Sequence, residues 1–286
     1  KQTPLVLGHE TAGTVAELGE GVANVAVGDR VAINTVLTCG TCFWCMKGQQ
    51  AVCPNMAVAG FMADGGLAEF MVWPADKLVP MPDSISDAEG PLLEPATVAV
   101  HGVRRSGVRP GDYVAVLGCG TVGLLTVQAF KTAGARVIAI DVREQNLALA
   151  KELGADETVI SRDETAAAAE LLELTGGIGP DIVVETAGAK ETPRMAIEWT
   201  RRGGTTLLLG IYSTTPEINF NNVVGPEITV IGSVATSPGD LEVAVELVGN
   251  GSINVKPLIS EIVPLSRAME DGFQRMLDPN KDIYRI

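Results

Sequence analysis

Four of the five cysteines sit on one short stretch: Cys39, Cys42, Cys45 and Cys53, spaced C-x2-C-x2-C-x7-C. Four thiolates on a compact loop suit a tetrahedral Zn²⁺ with every position filled, which is a structural site. Two disulfides are the alternative. Cysteines three apart make strained bridges, and a chain without a visible secretory signal points to a reducing compartment, so the spacing favours zinc. Gly8-His9-Glu10 places two residues of metal-ligating type side by side. Taken alone, such a pair is first of all an ordinary surface or core pair. Glu94 opens a helical stretch, Leu92-Leu93-Glu94-Pro95, in an apolar setting. An acid there is either a site residue or simply favoured by the helix dipole. His101, two helical turns on, reads as a packed structural histidine.

A second kind of chemistry lies in Leu117-Gly118-Cys119-Gly120-Thr121-Val122-Gly123, which carries G-x-G-x-x-G. An apolar run, Tyr113 to Leu117, precedes it. A helical pattern from Val122 to Ala133 follows, and a second apolar run, Arg136 to Ile140, ends on Asp141. Gly118 permits a tight turn, Gly120 lets a pyrophosphate approach the backbone, and Gly123 lets helix and strand pack closely. The helix N-terminus offers N–H groups and a positive dipole end to phosphates. Asp141 can accept from the ribose hydroxyls of NAD and would repel the extra phosphate of NADP. Arg143 either stacks on adenine or reaches a ribose phosphate; the nearby carboxylate decides for NAD.

These residues need elements to position them. Around the cysteines, short β-like runs alternate with glycine turns: Gly13 to Ala16, Arg30 to Ile33, Gly66 to Val72 and Lys77 to Pro80. This predicts a small, mostly β domain. After Asp141 the βα alternation continues. Strands are predicted at 157–160, 181–185, 205–209 and 228–234, and helices at 144–153, 164–174, 192–200 and 240–249. Six strands with intervening helices make an α/β, doubly wound parallel sheet. Ligands bind at the C-terminal ends of such strands, so Gly188, Gly210, Ile211 and Ser233 are candidates to line a nicotinamide. A helix is expected at 266–277, and 283–286 reads as the start of a strand. The domain expectation is 1–97, 98–254 and a return to the first domain at 255–286.

The chain has 286 residues and a net charge of −14. That argues against nucleic acid and anionic membrane surfaces as partners. No run is long enough to span a bilayer, so a cytoplasmic location is expected.

Together these residues resemble the zinc-containing medium-chain dehydrogenases, the superfamily of alcohol, sorbitol, butanediol and threonine dehydrogenases. The motifs that carry the likeness are Gly8-His9-Glu10, the four-cysteine lobe, Leu93-Glu94-Pro95, the glycine turn with Asp141, and Ile253 to Ile259. The resemblance implies a GroES-like catalytic domain beside a Rossmann domain. It implies NAD and two zincs, one structural and one catalytic. His9, Glu10 and Glu94 would belong to the catalytic zinc, with an upstream cysteine as a further ligand. Glu94 matches the acid of the sorbitol and threonine branch, which implies a secondary alcohol, diol or polyol as substrate. The implied reaction is hydride transfer from the alcohol carbon to NAD⁺. Ser260-Glu261-Ile262 stands where polyol dehydrogenases often carry a basic substrate contact, which weakens the case for a sugar alcohol. The family's first strands would precede Lys1, so an N-terminally incomplete, non-catalytic protein that binds NAD and structural zinc is the alternative. A homodimer or homotetramer is implied, with the edge strand at 228–234 as the contact.

Overall fold

The computed structural model describes residues 3–278 and 283–286. The expected domain start at Lys1, and positions 279–282 of the expected returning segment, lie outside the described residues. The described chain divides into two compact units, one of 1–98 with 235–286 and one of 99–234.

In the first unit, β1 (Ala12–Thr14), β2 (Arg30–Ile33), β3 (Val36–Leu37), β4 (Ala57–Val58) and β5 (Leu78–Pro80) are short. The order β1-β2-β5 forms one antiparallel sheet and β3-β4 a second. A single helical turn, α1 (Phe43–Met46), lies among the cysteines. The longer α2 (Leu93–Ser106) starts in this unit, on Leu93 and Ala96, both fully buried. Pro95 is tolerated because the first N–H groups of a helix have no intrahelical acceptor.

The second unit holds β6 (Tyr113–Leu117), α3 (Thr121–Thr132), β7 (Arg136–Asp141), α4 (Glu144–Glu152) and β8 (Glu157–Ile160). It continues with α5 (Glu164–Leu174), β9 (Ile182–Glu185), α6 (Thr192–Trp199), β10 (Thr205–Leu208), α7 (Asn221–Val224) and β11 (Thr229–Gly232). Every strand pairing is parallel, in the order β11-β10-β9-β6-β7-β8. This is the Rossmann order, and it reverses direction between β6 and β9. Its interior is apolar. Ala115, Leu117, Ile138, Ile140, Val159 and Val183 from the strands meet Ala167 and Leu171 of α5 and Met195, Ala196 and Trp199 of α6. Strands buried on both faces read as continuous apolar runs, which is why this half was readable in sequence.

Three expectations need correction. The run 66–72 is not a strand. Its backbone bonds are spent early, with Gly66 donating to Gly8 and Leu67 to Leu7, and Phe70 and Val72 are then exposed at 76% and 97%. The helix 240–249 forms as α8 (Asp240–Gly249) but belongs to the first unit, not to the sheet. Its carbonyl end takes a 2.8 Å bond from the Ser84 hydroxyl, and Gly249 lies against Pro82. The return to the first unit therefore comes at Ala235, well before 255. The segment 266–277 is not one α-helix. It passes from a 3₁₀ turn (Leu265–Arg267) through a π-helix (Ala268–Phe273) to a last turn, α9 (Gln274–Met276).

Candidate functional site

The four cysteine sulfurs lie within 4.8 Å of one another, and none is in a disulfide. Cys39–Cys53 and Cys42–Cys53 are 3.6 and 3.9 Å apart. Sulfurs about 2.3 Å from a central Zn²⁺ stand about 3.8 Å apart along the edges of a tetrahedron, so the donor set fits the ion. The backbone cooperates. N–H groups of Thr41 and Cys42 point at the Cys39 sulfur and bring its pKa down to about 5. Cys45 is pushed up to about 11, by burial first and then by the neighbouring Cys42 and Cys53 thiols. A Cys39 thiolate beside a Cys45 thiol that resists ionising is a site that a dication completes.

His9, Glu10 and Glu94 also converge, with one ligand atom of each within 4.8 Å of the others. The approach to His9 is fixed backbone against backbone. Gly8 sits at φ +95°, and a Cβ on Gly65 would stand 2.1 Å from the Gly8 carbonyl oxygen. The His9 ring packs 4.9 Å from Phe61. Burial lowers the His9 pKa, against the pull of Glu10, which keeps the imidazole neutral and able to donate a lone pair. Glu94 is pushed up to about 8, first by burial and then by the Glu10 charge, with Arg285 acting the other way. Two acids and one imidazole thus meet a single guanidinium, that of Arg285.

Arg285 is the residue that sequence reasoning missed here. Its guanidinium grips both Glu10 oxygens at 2.8 Å, a bidentate pair. Residues 283–286 do come back beside another segment, since Ser260 donates to the Arg285 carbonyl at 2.9 Å. No local signal in the sequence marks a partner 275 positions away.

A small cavity adjoins Glu94, lined by Ile33, Asn34, Thr35, Thr97, Thr236 and Leu241. Thr35 is 2% exposed, and among the described residues its hydroxyl has no hydrogen-bond partner. Buried hydroxyls are nearly always paired, so this one is a candidate contact for a bound group.

In the second unit the glycine turn has the shape its spacing requires. Gly118 sits at φ +101°, and a Cβ on Gly123 would stand 1.9 Å from the Gly118 carbonyl oxygen. A Cβ on Gly120 would meet nothing within 4 Å, so that face of the turn is open to a phosphate. Thr121, Val122 and Gly123 form the first turn of α3, where N–H groups face outward along the axis. Asp141 ends β7 and is largely buried. One carboxylate oxygen accepts from the Cys119 N–H at 2.7 Å and the other from the Arg143 N–H at 2.8 Å. The acid thus fixes the turn and keeps a second lone pair on each oxygen for hydroxyl donors. Cys119 is fully buried, its thiol kept protonated by burial and by Asp141, so it fills space and ligates nothing.

Gly188, Gly210 and Ile211 come together past β9 and β10: a Cβ on Gly188 would lie 2.8 Å from the Ile211 carbonyl. Ser233 follows β11 at the sheet edge and bonds back to Leu208 at 2.9 Å. His101 is buried at 6% exposure, in keeping with a packing role.

The description "Alcohol dehydrogenase GroES-like domain" matches residues 1–83, and "Zinc-binding dehydrogenase" matches residues 121–250. A probable D-xylulose reductase A of Aspergillus clavatus is 36% identical over 280 residues, covering 96% of this chain and 77% of the relative. The crystal structure of 2R,3R-butanediol dehydrogenase from Bacillus subtilis superposes with a TM-score of 0.88 at 32% identity, covering 98% of this chain and 79% of that one. A zinc-binding dehydrogenase from Sinorhizobium meliloti bound to NADP gives a TM-score of 0.87 at 33% identity, covering 94% and 79%. Among the described residues, no helix is long and apolar enough to cross a membrane.

Proposed function

The chain belongs to the zinc-binding dehydrogenase family, and from that premise we propose that it is an NAD(H)-linked zinc oxidoreductase that interconverts a secondary alcohol, diol or polyol with its ketone. The convergence of His9, Glu10 and Glu94 carries this reading, because a neutral imidazole and two acids form a donor set for a divalent metal. When bound, zinc supplies Lewis-acid polarisation of the reacting oxygen, and nicotinamide supplies the hydride acceptor.

The chain's own residues do the rest. His9 donates a nitrogen lone pair. Glu94 supplies negative charge at the metal and, when the metal is absent, holds a proton. Glu10 is oriented by Arg285, which offsets part of the acid charge. The Gly118–Gly123 turn binds the cofactor's phosphates through its backbone. Asp141 accepts from ribose hydroxyls and disfavours a phosphate there, which supports NAD over NADP. The relative that binds NADP makes this a choice to test.

Thr35 favours a hydroxyl-rich substrate. Its unpaired hydroxyl lies on the cavity next to Glu94, where a second substrate hydroxyl would complete it. The decisive experiment combines zinc per chain by elemental analysis with NAD⁺ reduction over a panel of secondary alcohols and diols. Two zincs and NADH formation are expected. One zinc, with NADH bound but no alcohol oxidised, would reduce the protein to a zinc-stapled dinucleotide binder. Thr35→Val is expected to lower kcat/KM for a vicinal diol about tenfold relative to the matching mono-alcohol, the worth of one hydrogen bond to a substrate hydroxyl. An unchanged ratio removes Thr35 from the substrate site.

A further inference from the structure

The apolar strand β9 ends in an acid. Glu185 is fully buried, with 0% exposure, and its side-chain hydrogen-bond partners among the described residues are uncharged groups. Four hydrogen bonds satisfy its carboxyl group. One oxygen accepts from the Ala187 N–H at 2.8 Å, the Gly188 N–H at 2.8 Å and the Thr192 hydroxyl at 2.7 Å. The other accepts from the Tyr212 hydroxyl at 2.5 Å. One carboxylate therefore holds two separate loops, the one after β9 and the one after β10. The backbone repeats the link, with Leu209 and Gly210 donating to the Glu185 carbonyl at 2.9 and 3.1 Å. Room for the grip is provided by Gly210, where a Cβ would stand 2.2 Å from the Glu185 carboxylate.

The position of this node in the sheet gives it a use. Asp141 ends β7 and the phosphate turn follows β6, its neighbour. A dinucleotide anchored at those two points continues across the strand ends to β9 and then β10, following the order β7-β6-β9-β10. Thr186, next to Glu185, already ties β9 to the turn, because its hydroxyl donates to the Gly118 carbonyl at 2.7 Å. Beyond it, Gly188 and Gly210 expose backbone, and Ile211 presents an apolar side chain that is 83% exposed. A flat, partly apolar ring can lie against such a wall.

We propose that Glu185 and Tyr212 form a positioning latch for the nicotinamide half of the dinucleotide, holding Gly188, Gly210 and Ile211 as one surface. The inference rests on the cofactor reading above and adds two residues to it. Neither touches the reacting atoms; both act through the loops they hold. Burial and the adjacent Glu185 keep the Tyr212 hydroxyl protonated, so it stays a donor.

The test is calorimetric titration of the intact 286-residue chain with NADH and with ADP-ribose, which lacks the nicotinamide. For Tyr212→Phe, the Kd for NADH is expected to rise about tenfold, while the Kd for ADP-ribose stays within about twofold, the loss of one charge-assisted hydrogen bond felt at one end of the ligand. Glu185→Gln, which keeps an acceptor for the loop N–H groups, is expected to shift NADH alone by a smaller factor. Equal weakening of both ligands would mean that the pair only supports the fold, and no change would mean that it positions nothing; either result overturns the latch. Wild-type protein that binds neither ligand overturns the cofactor reading itself.

Discussion

The cysteine lobe and the parallel sheet solve the same problem in opposite ways. Between 39 and 53 only Cys45, Ala51 and Cys53 are buried, while Phe43 and Met46 stand 67% and 73% exposed. So little apolar burial cannot offset the entropy of ordering the loop, and the four sulfurs must be tied by an ion. In the sheet, Val114 to Leu117, Val137 to Asp141 and Ile182 to Glu185 are buried without a break. That unit holds its shape by packing and presents its turn already formed. Within one chain, metal dependence follows from how little apolar surface a segment can hide.

The sharpest way to break this contrast is to remove the metal. Chelation, or Cys45→Ser, is expected to withdraw about 10 kcal/mol of binding free energy from the lobe. Limited proteolysis should then cut within 39–53 while calorimetric NADH binding persists. Loss of both together would mean that the two units stand or fall as one. The converse perturbation is Gly123→Ala, whose Cβ would meet the Gly118 carbonyl oxygen at 1.9 Å. It is expected to cost about 3 kcal/mol and to abolish NADH binding while lobe zinc is retained, read by thermal melts, titration and metal analysis.

The third prediction concerns the His9–Glu10–Glu94 cluster, which lies between the two cases. Glu94 is held at about 8, above the ordinary 4.5 of a glutamate. An acid with a raised folded pKa penalises the fold as pH rises from the lower value to the higher one. Glu94→Gln should therefore stabilise metal-stripped protein at pH 9, by on the order of 2 kcal/mol, and leave it unchanged at pH 4. Denaturant melts at both pH values read this out; an equal gain at both would assign the effect to packing.

Much of this was legible because it is local. The cysteine spacing, the glycine turn and each βα repeat announce themselves within about thirty residues, and the structure brings those groups together. What escaped is long-range. The run 66–72 alternates like a strand, but its backbone is taken up by residues 6–8, which no periodicity reveals. The helix α8 has the apolar stripe of a sheet helix, yet it packs beside β5. Arg285 meets Glu10 from the far end of the chain. Glu185 left a readable trace, an acid closing an otherwise apolar strand, and a buried acid of that kind points to a dedicated set of donors.

The Arg285–Glu10 pair also sets a timetable for biosynthesis. At about 5–20 residues per second, a ribosome needs roughly 14 to 55 s to travel from Glu10 to Arg285. The 99–234 unit is made whole in that interval. From the synthesis of Glu94 until that of Arg285, the cluster of His9, Glu10 and Glu94 stands without the guanidinium that later pairs with Glu10. Before that pairing the two acids carry more uncompensated negative charge than they do in the folded chain.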